Sequence, residues 1–176
     1  MQYTYIKQAC LIFLITLSIC FLSSCTSLDK PPEVIAAPEI GYVAPDFSLR
    51  TSNGILINLH DLKGNPVFIN FWATWCGPCV SEMPDIQTLY KKYKKFGLVI
   101  IGINQQESTS DVTIFASDYG ITFPLLIDSS GKVNEAYRVN AIPKSFFIDR
   151  EGVIREIYIG SMSKTEIEIF ILEILK

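Results

Sequence analysis

Short apolar stretches recur along the chain from residue 67 onward, and they predict the strands of a sheet. Two of these stretches, at 67–72 and 98–103, are almost continuously apolar. Strands of that composition are usually buried on both faces of a sheet. Further strands are expected at 125–127, 145–149 and 153–159. The pattern therefore predicts a sheet whose central strands contact other elements on both sides.

Helical patterns separate these strands. A long helix is predicted from Cys76 or Gly77 to about residue 96, with a bend at Pro84 because proline lacks the N–H that the helix needs. A capping-box pattern that begins at Ser163 predicts the start of the last helix, which continues to the end of the chain. Two shorter helices are expected at 108–119 and 132–138.

The segments 46–50 and 55–59 alternate in character around Asn53-Gly54, a turn signal typical of a β-hairpin. The predicted order is therefore two strands, then strand–helix–strand–helix, then two strands and a helix. Strands that alternate with helices indicate an α/β fold. We expect three layers, with a mixed central sheet, helices on both faces and an N-terminal β-hairpin.

The N-terminus predicts export. Lys7 is the only charge before an apolar run at 9–22, which is about 14 residues long and shorter than the roughly 20 needed to span a bilayer. Such a run fits a signal peptide. Leu22-Ser23-Ser24-Cys25 resembles the bacterial lipobox, which implies cleavage before Cys25 and a lipid on its sulfur. The alternative is an uncleaved signal anchor, and both place the rest of the protein outside the cytoplasm, tethered to a membrane.

These observations divide the 176 residues into a signal peptide at 1–24, a lipid-bearing Cys25 with a proline-rich extended linker at 25–40, and one domain at 41–176. Fifteen basic residues against eighteen acidic ones give a net charge of -3. A nucleic-acid-binding protein normally shows a basic patch, so that class is not expected.

Two cysteines carry the candidate chemistry. Cys10 and Cys20 lie in the predicted signal peptide, so Cys76 and Cys79 remain as thiols if Cys25 is lipidated. An isolated pair at this spacing in an exported domain indicates redox chemistry or a metal.

The pair lies where a strand is predicted to give way to a helix. A thiol at a helix N-terminus is favoured as a thiolate by the unsatisfied N–H groups and the helix dipole. Since the thiolate is the form that attacks a disulfide, we expect Cys76 to be the nucleophile and Cys79 to resolve the mixed disulfide. Pro78 is tolerated in the first helical turn.

Trp75-Cys76-Gly77-Pro78-Cys79 resembles the active site of thioredoxins, and the resemblance extends over about 41–176. It implies a thioredoxin-like fold, in which Pro84 bends the active-site helix. The segment 141–146 (AIPKSF) resembles the cis-proline loop of that family. The resemblance implies that Pro143 is cis and packs against the cysteines, and that the backbone of Ile142 pairs with the substrate. With Trp75, Gly77 and Pro78, these residues form the expected substrate-binding surface.

Two details indicate which group of thioredoxin-like proteins the chain resembles. Thioredoxins carry a buried Asp six residues before the first cysteine, whereas this chain has Asn70 there and Glu82 six residues after Cys76. Together with the opening GYVAPDFSL at 41–49, this is similar to the membrane-anchored, extracytoplasmic ResA/TlpA family, whose analogous glutamate lies near the thiols. A carboxylate near a thiolate raises the thiol pKa and can relay its proton. We assign that role to Glu82; the alternative is a solvated helix glutamate.

Other classes fit the residues less well. A copper-delivery protein on this fold uses two cysteines three residues apart and a distant histidine, and a zinc site lacks ligands because His60 is the only histidine. A peroxiredoxin would have Pro and Thr or Ser where this chain has Ile69 and Ala73. A non-catalytic binding module usually loses one or both thiols. We therefore expect no metal and no other cofactor.

The resemblance implies an extracytoplasmic thiol–disulfide oxidoreductase that reduces disulfides in exported proteins. Its electrons would come from a membrane thiol transporter of the CcdA or DsbD type, and apocytochrome c is a candidate client. General disulfide repair, isomerisation or oxidation is the alternative. The protein is expected to be a monomer.

Overall fold

A computed structural model describes residues 36–176. The predicted signal peptide at 1–24 and Cys25 lie outside the described residues. The described strands are β1 Ser48–Thr51, β2 Leu56–Asn58, β3 Val67–Trp72, β4 Val99–Gln105, β5 Leu125–Asp128, β6 Lys144–Ile148 and β7 Ile154–Ile159. The helices are α1 Gly77–Tyr93, α2 Thr109–Asp118, α3 Lys132–Ala136 and α4 Lys164–Ile174, with 3-10 turns at Leu59–Leu62 and Lys94–Phe96.

All seven strands form one mixed sheet in the order β2-β1-β5-β4-β3-β6-β7. The β3–β4 and β4–β5 pairs are parallel, because helices α1 and α2 return the chain to the same end of the sheet. The hairpin β1–β2 and the edge pair β6–β7 are antiparallel. The α/β class, the mixed sheet and the N-terminal hairpin predicted from the sequence are therefore confirmed.

Strand β3 lies inside the sheet between β4 and β6, and all six of its residues are buried. Because successive side chains of a strand point to opposite faces, Phe68 and Trp72 join the core that holds α1 and α4. Ile69 and Phe71 join the core on the other face, with Tyr137. The continuous apolar pattern at 67–72 is thus explained by two cores that share one strand.

Helix α1 begins directly after β3 and carries the candidate chemistry. Cys76 is its N-cap, Pro84 lies inside it on an exposed position, and the 3-10 turn Lys94–Phe96 extends it to Gly97. Gly97 has a φ of 90°, a left-handed conformation that ends helices and suits glycine. The predicted end near residue 96 is confirmed.

The described chain starts with a segment that pairs onto the β6–β7 turn. The Gly41 N–H donates to the carbonyl of Ile154 at 2.9 Å, and Val43 forms a bridge with Val153. Ala36, within the predicted linker, forms a bridge with Val43. Among residues 36–176, no helix is long and apolar enough to cross a membrane.

Candidate active site

The two cysteines lie at the carboxyl end of β3, where the segment Ala73–Trp75 leads into α1. They form a disulfide, with their Cα atoms 5.2 Å apart. Cys76 is 5 % exposed and Cys79 is fully buried. Of the two cysteines, only Cys76 therefore keeps some exposed area, and its role as the nucleophile stays a prediction.

The start of α1 supports a negative charge on Cys76. The backbone N–H of Cys79 donates to the Cys76 sulfur at 3.3 Å, so this sulfur takes the place of a helix-capping oxygen. Gly77 and Pro78 occupy the first two helical positions and are both exposed. Since the N-terminal N–H groups of a helix stabilise an anion, the reduced Cys76 is placed to ionise.

The loop before β6 lies against the cysteines. The Ile142–Pro143 peptide bond is cis, as the resemblance implies. The Ile142 carbonyl oxygen lies 3.8 Å from the Cys76 sulfur, and Pro143 is buried. Trp75, the residue before Cys76, is 69 % exposed. Of the predicted substrate-contact residues, Trp75, Gly77 and Pro78 thus flank Cys76 in the chain. Ile142 and Pro143 belong to the cis-proline loop, whose Ile142 carbonyl oxygen lies near the Cys76 sulfur.

Glu82 lies in the core, at 2 % exposure, one helical turn beyond Cys79. Its Oε1 accepts a hydrogen bond from Asn70 Nδ2 at 2.8 Å, and its Oε2 accepts one from the Met162 backbone N–H at 3.1 Å. Burial raises the pKa of Glu82 to about 7, although both hydrogen bonds act in the opposite direction. The alternative of a solvated helix glutamate is therefore wrong, because β3 and the segment before α4 cover this part of α1.

Asn70 has a role that the sequence did not predict. Its side chain is fully buried, and Nδ2 donates to Ser145 Oγ at 3.1 Å as well as to Glu82. The sequence held one signal for this contact, since Asn70 is the only residue with a hydrogen-bonding side chain near the middle of an apolar strand. A buried amide at such a place needs a polar partner.

Two further groups fix the loops on either side of the disulfide. A carboxylate oxygen of Glu107 accepts a hydrogen bond from the Thr74 backbone N–H at 2.7 Å and one from Asn104 Nδ2 at 2.6 Å. On the opposite side, Lys144 Nζ donates to the carbonyls of Tyr137 and Arg138 at 3.1 and 2.9 Å. Neither Glu107 nor Lys144 was predicted.

The described residues contain no cluster of three or more His, Cys, Asp or Glu side chains that could hold a metal ion. His60 is exposed and contacts the carboxylates of Asp46 and Asp61 at 2.9 and 3.1 Å. These carboxylates raise the pKa of His60, the hydrogen bond to Asp46 contributing most. The histidine is thus engaged in a surface ion pair.

Comparisons with known proteins agree with this geometry. The model of the AhpC/TSA family matches residues 40–157. The thiol-disulfide oxidoreductase ResA of Geobacillus kaustophilus is 43% identical over 132 residues, which cover 75% of this chain and 76% of that protein. A crystal structure of a thiol:disulfide interchange protein of the thioredoxin family from Chlorobium tepidum has a TM-score of 0.71 and 30% identity, over 76% of this chain and 96% of that one.

A third similarity is to the exposed lipoprotein thioredoxin Etrx1 of Streptococcus pneumoniae. Its crystal structure gives a TM-score of 0.64 with 31% identity, and the match covers 73% of this chain and 99% of that one.

Proposed function

The chain belongs to the AhpC/TSA family and is a thiol–disulfide oxidoreductase of the ResA type. From this premise we propose that it reduces disulfides in exported proteins. The observation that carries the proposal is the Cys76–Cys79 pair at the N-terminus of α1, with the Cys79 N–H directed at the Cys76 sulfur. The Gly77-Pro78 dipeptide between the cysteines and the similarity to ResA favour a reductant over an oxidant.

In the first step, the Cys76 thiolate attacks one sulfur of the substrate disulfide. A mixed disulfide forms, and the other substrate sulfur leaves as a thiolate that takes up a proton. Cys79 then transfers its proton to Glu82 and attacks the Cys76 sulfur. The Cys76–Cys79 bridge closes, and the second substrate thiolate leaves and is protonated. The substrate gains the two electrons and two protons that the dithiol loses, so no cofactor takes part.

Glu82 suits the second step because its burial keeps its affinity for a proton high. A carboxyl group with a pKa of about 7 can accept a proton and release it again near neutral pH. Its position three residues after the buried Cys79 places it on the same side of α1. We therefore assign to Glu82 the role of proton acceptor for the resolving thiol.

The substrate chain would lie across the Ile142–Pro143 backbone. The exposed Trp75 indole offers apolar contact area, and the exposed Gly77-Pro78 turn leaves room for an incoming backbone. Pairing to the backbone of Ile142 is independent of the substrate's side chains. This surface therefore suits several exported proteins, and a Cys-x-x-Cys-His segment of apocytochrome c is the client we favour.

The proposal places the protein on the outer side of a membrane, held by a lipid on Cys25. It rests on the lipobox-like Leu22–Cys25, and the similarity to an exposed lipoprotein thioredoxin supports it. A membrane thiol transporter of the CcdA or DsbD type would reduce the disulfide again after each turnover.

The reduction potential of the Cys76–Cys79 pair tests the direction of electron flow. We would equilibrate a soluble chain that begins near Leu28 with dithiothreitol or glutathione buffers and quantify the dithiol form. A reductant should give roughly -270 to -230 mV. A value near about -180 mV would indicate an isomerase, and one near about -120 mV an oxidase. Either would contradict the proposal, and a Cys79→Ser variant serves as the control without an internal disulfide.

The client is tested with an oxidised Cys-x-x-Cys-His peptide. The reduced protein should reduce it faster than a peptide of the same composition in which the cysteines are far apart. The Cys79→Ser variant should accumulate a mixed disulfide between the peptide and Cys76, which mass spectrometry detects. Equal rates for both peptides would argue for general disulfide repair.

A further inference from the structure

Glu82 is part of a buried polar group that extends into the sheet. Glu82 on α1, Asn70 on β3 and Ser145 on β6 are each at most 2 % exposed. Asn70 and Ser145 are directly opposite each other in the β3–β6 pairing. Asn70 uses one amide N–H for Glu82 Oε1 and the other for Ser145 Oγ, at 2.8 and 3.1 Å.

This arrangement fixes the orientation of the Asn70 amide. Both of its N–H groups have acceptors, whereas its Oδ1 has no hydrogen-bond partner among the described residues. An amide turned the other way would place its oxygen against the Glu82 carboxylate, and two acceptors would then face each other. In the observed orientation the Ser145 hydroxyl accepts the second N–H of the amide, so both donors of Asn70 are satisfied.

None of the described groups that form hydrogen bonds with Glu82 carries a positive charge. The Met162 N–H covers its other oxygen, and α4 presents the apolar Ile167 and Ile171 to the same core. Lys144, the neighbour of Ser145 on β6, donates to backbone carbonyls, and alternation along the strand directs it to the opposite face of the sheet. The remaining titratable groups of this core are the two cysteines, which precede Glu82 on α1, and the tyrosines Tyr90, Tyr93 and Tyr158, of which Tyr158 lies opposite Ser145 in the β6–β7 pairing.

We propose that Asn70 and Ser145 are positioning residues: together they hold Glu82 as the hydrogen-bonded acceptor of the Cys79 proton. The inference rests on the proposed role of Glu82 and adds the groups through which that role is set. Because Ser145 lies two residues after Pro143, the same strand positions both the substrate loop and the proton acceptor.

Replacement of Asn70 should change the pKa of the thiols in a defined direction. Removal of the Asn70 amide takes away a donor that stabilises the carboxylate, so Glu82 holds its proton to higher pH. A neutral Glu82 no longer opposes a negative charge on the cysteines. The thiols should then ionise at lower pH, which is also the result expected for Glu82→Gln.

The experiment measures the pH dependence of iodoacetamide alkylation at Cys76 in the full-length chain in detergent, after reduction. Mass spectrometry of the peptide that contains Cys76 separates this site from the other cysteines. We expect Glu82→Gln to lower the apparent pKa by about one unit, and Asn70→Ala by about half a unit. Ser145→Ala should act in the same direction as Asn70→Ala, and Ser145→Thr, which keeps the hydroxyl, should restore the wild-type profile.

The double variant Asn70→Ala/Glu82→Gln tests whether Asn70 acts through Glu82 or through a general disturbance of the structure. If Asn70 acts through Glu82, the double variant should give the same profile as Glu82→Gln alone. Asn134→Ala is the matched control, because Asn134 is a buried asparagine on α3 whose Oδ1 also lacks a partner. Its profile should equal that of the wild type.

The possible failures are distinguishable. If Glu82→Gln leaves the profile unchanged, the proposed role of Glu82 is wrong. If Glu82→Gln shifts the profile but Asn70→Ala does not, or if their shifts add in full, only the positioning role is overturned. If Asn70→Ala does not fold, the Ser145→Ala and Ser145→Thr pair decides in the same way.

Discussion

At the scale of single residues, the site depends on one carboxyl group placed where water cannot solvate it. An ionised glutamate in a core is costly unless hydrogen bonds compensate. Glu82 has two such bonds, from Asn70 and Met162, and they offset part of this cost but not all of it. The remainder is a cost in folding free energy, and in the proposed mechanism it keeps the carboxyl group able to take up a proton near neutral pH.

This cost should appear as a pH dependence of stability. Glu82 titrates at about 7 in the folded protein against 4.5 as its ordinary value. Between these values the folded state keeps a proton that the unfolded chain releases, so the free energy of unfolding falls as the pH rises from about 4.5 to 7. The difference corresponds to about 3 kcal/mol. Urea denaturation of the oxidised protein at pH 5, 6, 7 and 8 should show this fall.

The Glu82→Gln variant should lose most of that pH dependence. Glu168→Gln is a useful control, because Glu168 lies outside the capping box of α4 and its pKa is lowered, mainly by its hydrogen bond with the Lys92 side chain. Its contribution to stability is lost at acidic pH and does not change between pH 5 and 8. An unchanged slope in Glu82→Gln would show that another group causes the pH dependence.

At the scale of elements, the segment that leads into α4 forms a hydrogen bond with Glu82. Ser163 caps this helix in a capping box with Glu166, and the residue before it, Met162, gives its N–H to Glu82. A helix that frays at this end releases Met162 from its fixed position. The cap of α4 and the environment of the proton acceptor are therefore linked through one backbone bond.

This link can be tested with two equivalent caps. Ser163→Ala should lower the free energy of unfolding by about 1 kcal/mol and also shift the pH profile of Cys76 alkylation toward that of Glu82→Gln. Ser108→Ala removes the N-cap of α2, where Ser108 accepts from the Asp111 N–H. It should cost a similar amount of stability with no shift. Equal profiles in the two variants would contradict the link.

Elements built from local patterns could be predicted from the sequence. The predicted strand at 67–72 matches β3, and the helix that follows Cys76 was expected because a strand, a turn and an apolar period of 3.6 residues are all local features. The capping box at Ser163 was also predicted and is present. The cis bond at Pro143 came from the resemblance, since nothing in the local pattern distinguishes it from a trans bond.

Contacts between elements could not be predicted in the same way. The Asn70–Ser145 bond joins residues 75 positions apart, and it exists only because β6 pairs next to β3. The sequence marked Glu82 as a candidate but could not show whether it was buried, since this depends on the helix phase and on what covers the helix. Lys144 was missed because its partners are backbone carbonyls, which carry no sequence signal, and Glu107 because its contact with Thr74 joins the ends of two different strands.

At the scale of the whole molecule, the sheet places the disulfide at the carboxyl ends of its parallel strands. The chain enters the domain at a different place, through the segment that pairs with Val153 and Ile154 in the β6–β7 hairpin. The redox chemistry needs no contact with this entry segment. The anchor can therefore be tested separately from the chemistry.

The lipid anchor is tested in a bacterial host that processes lipoproteins. Cells that express the full chain would be labelled with an alkyne fatty acid, and the membrane-bound protein would be examined by mass spectrometry. The proposal expects a chain that begins at Cys25 and carries the label, and Cys25→Ala should abolish both labelling and cleavage. Cys20→Ala, also in the N-terminal segment, should label as the wild type does. A chain that retains residues 1–24 without label would support an uncleaved signal anchor, and the linker would then begin after the apolar run instead of at a lipidated cysteine.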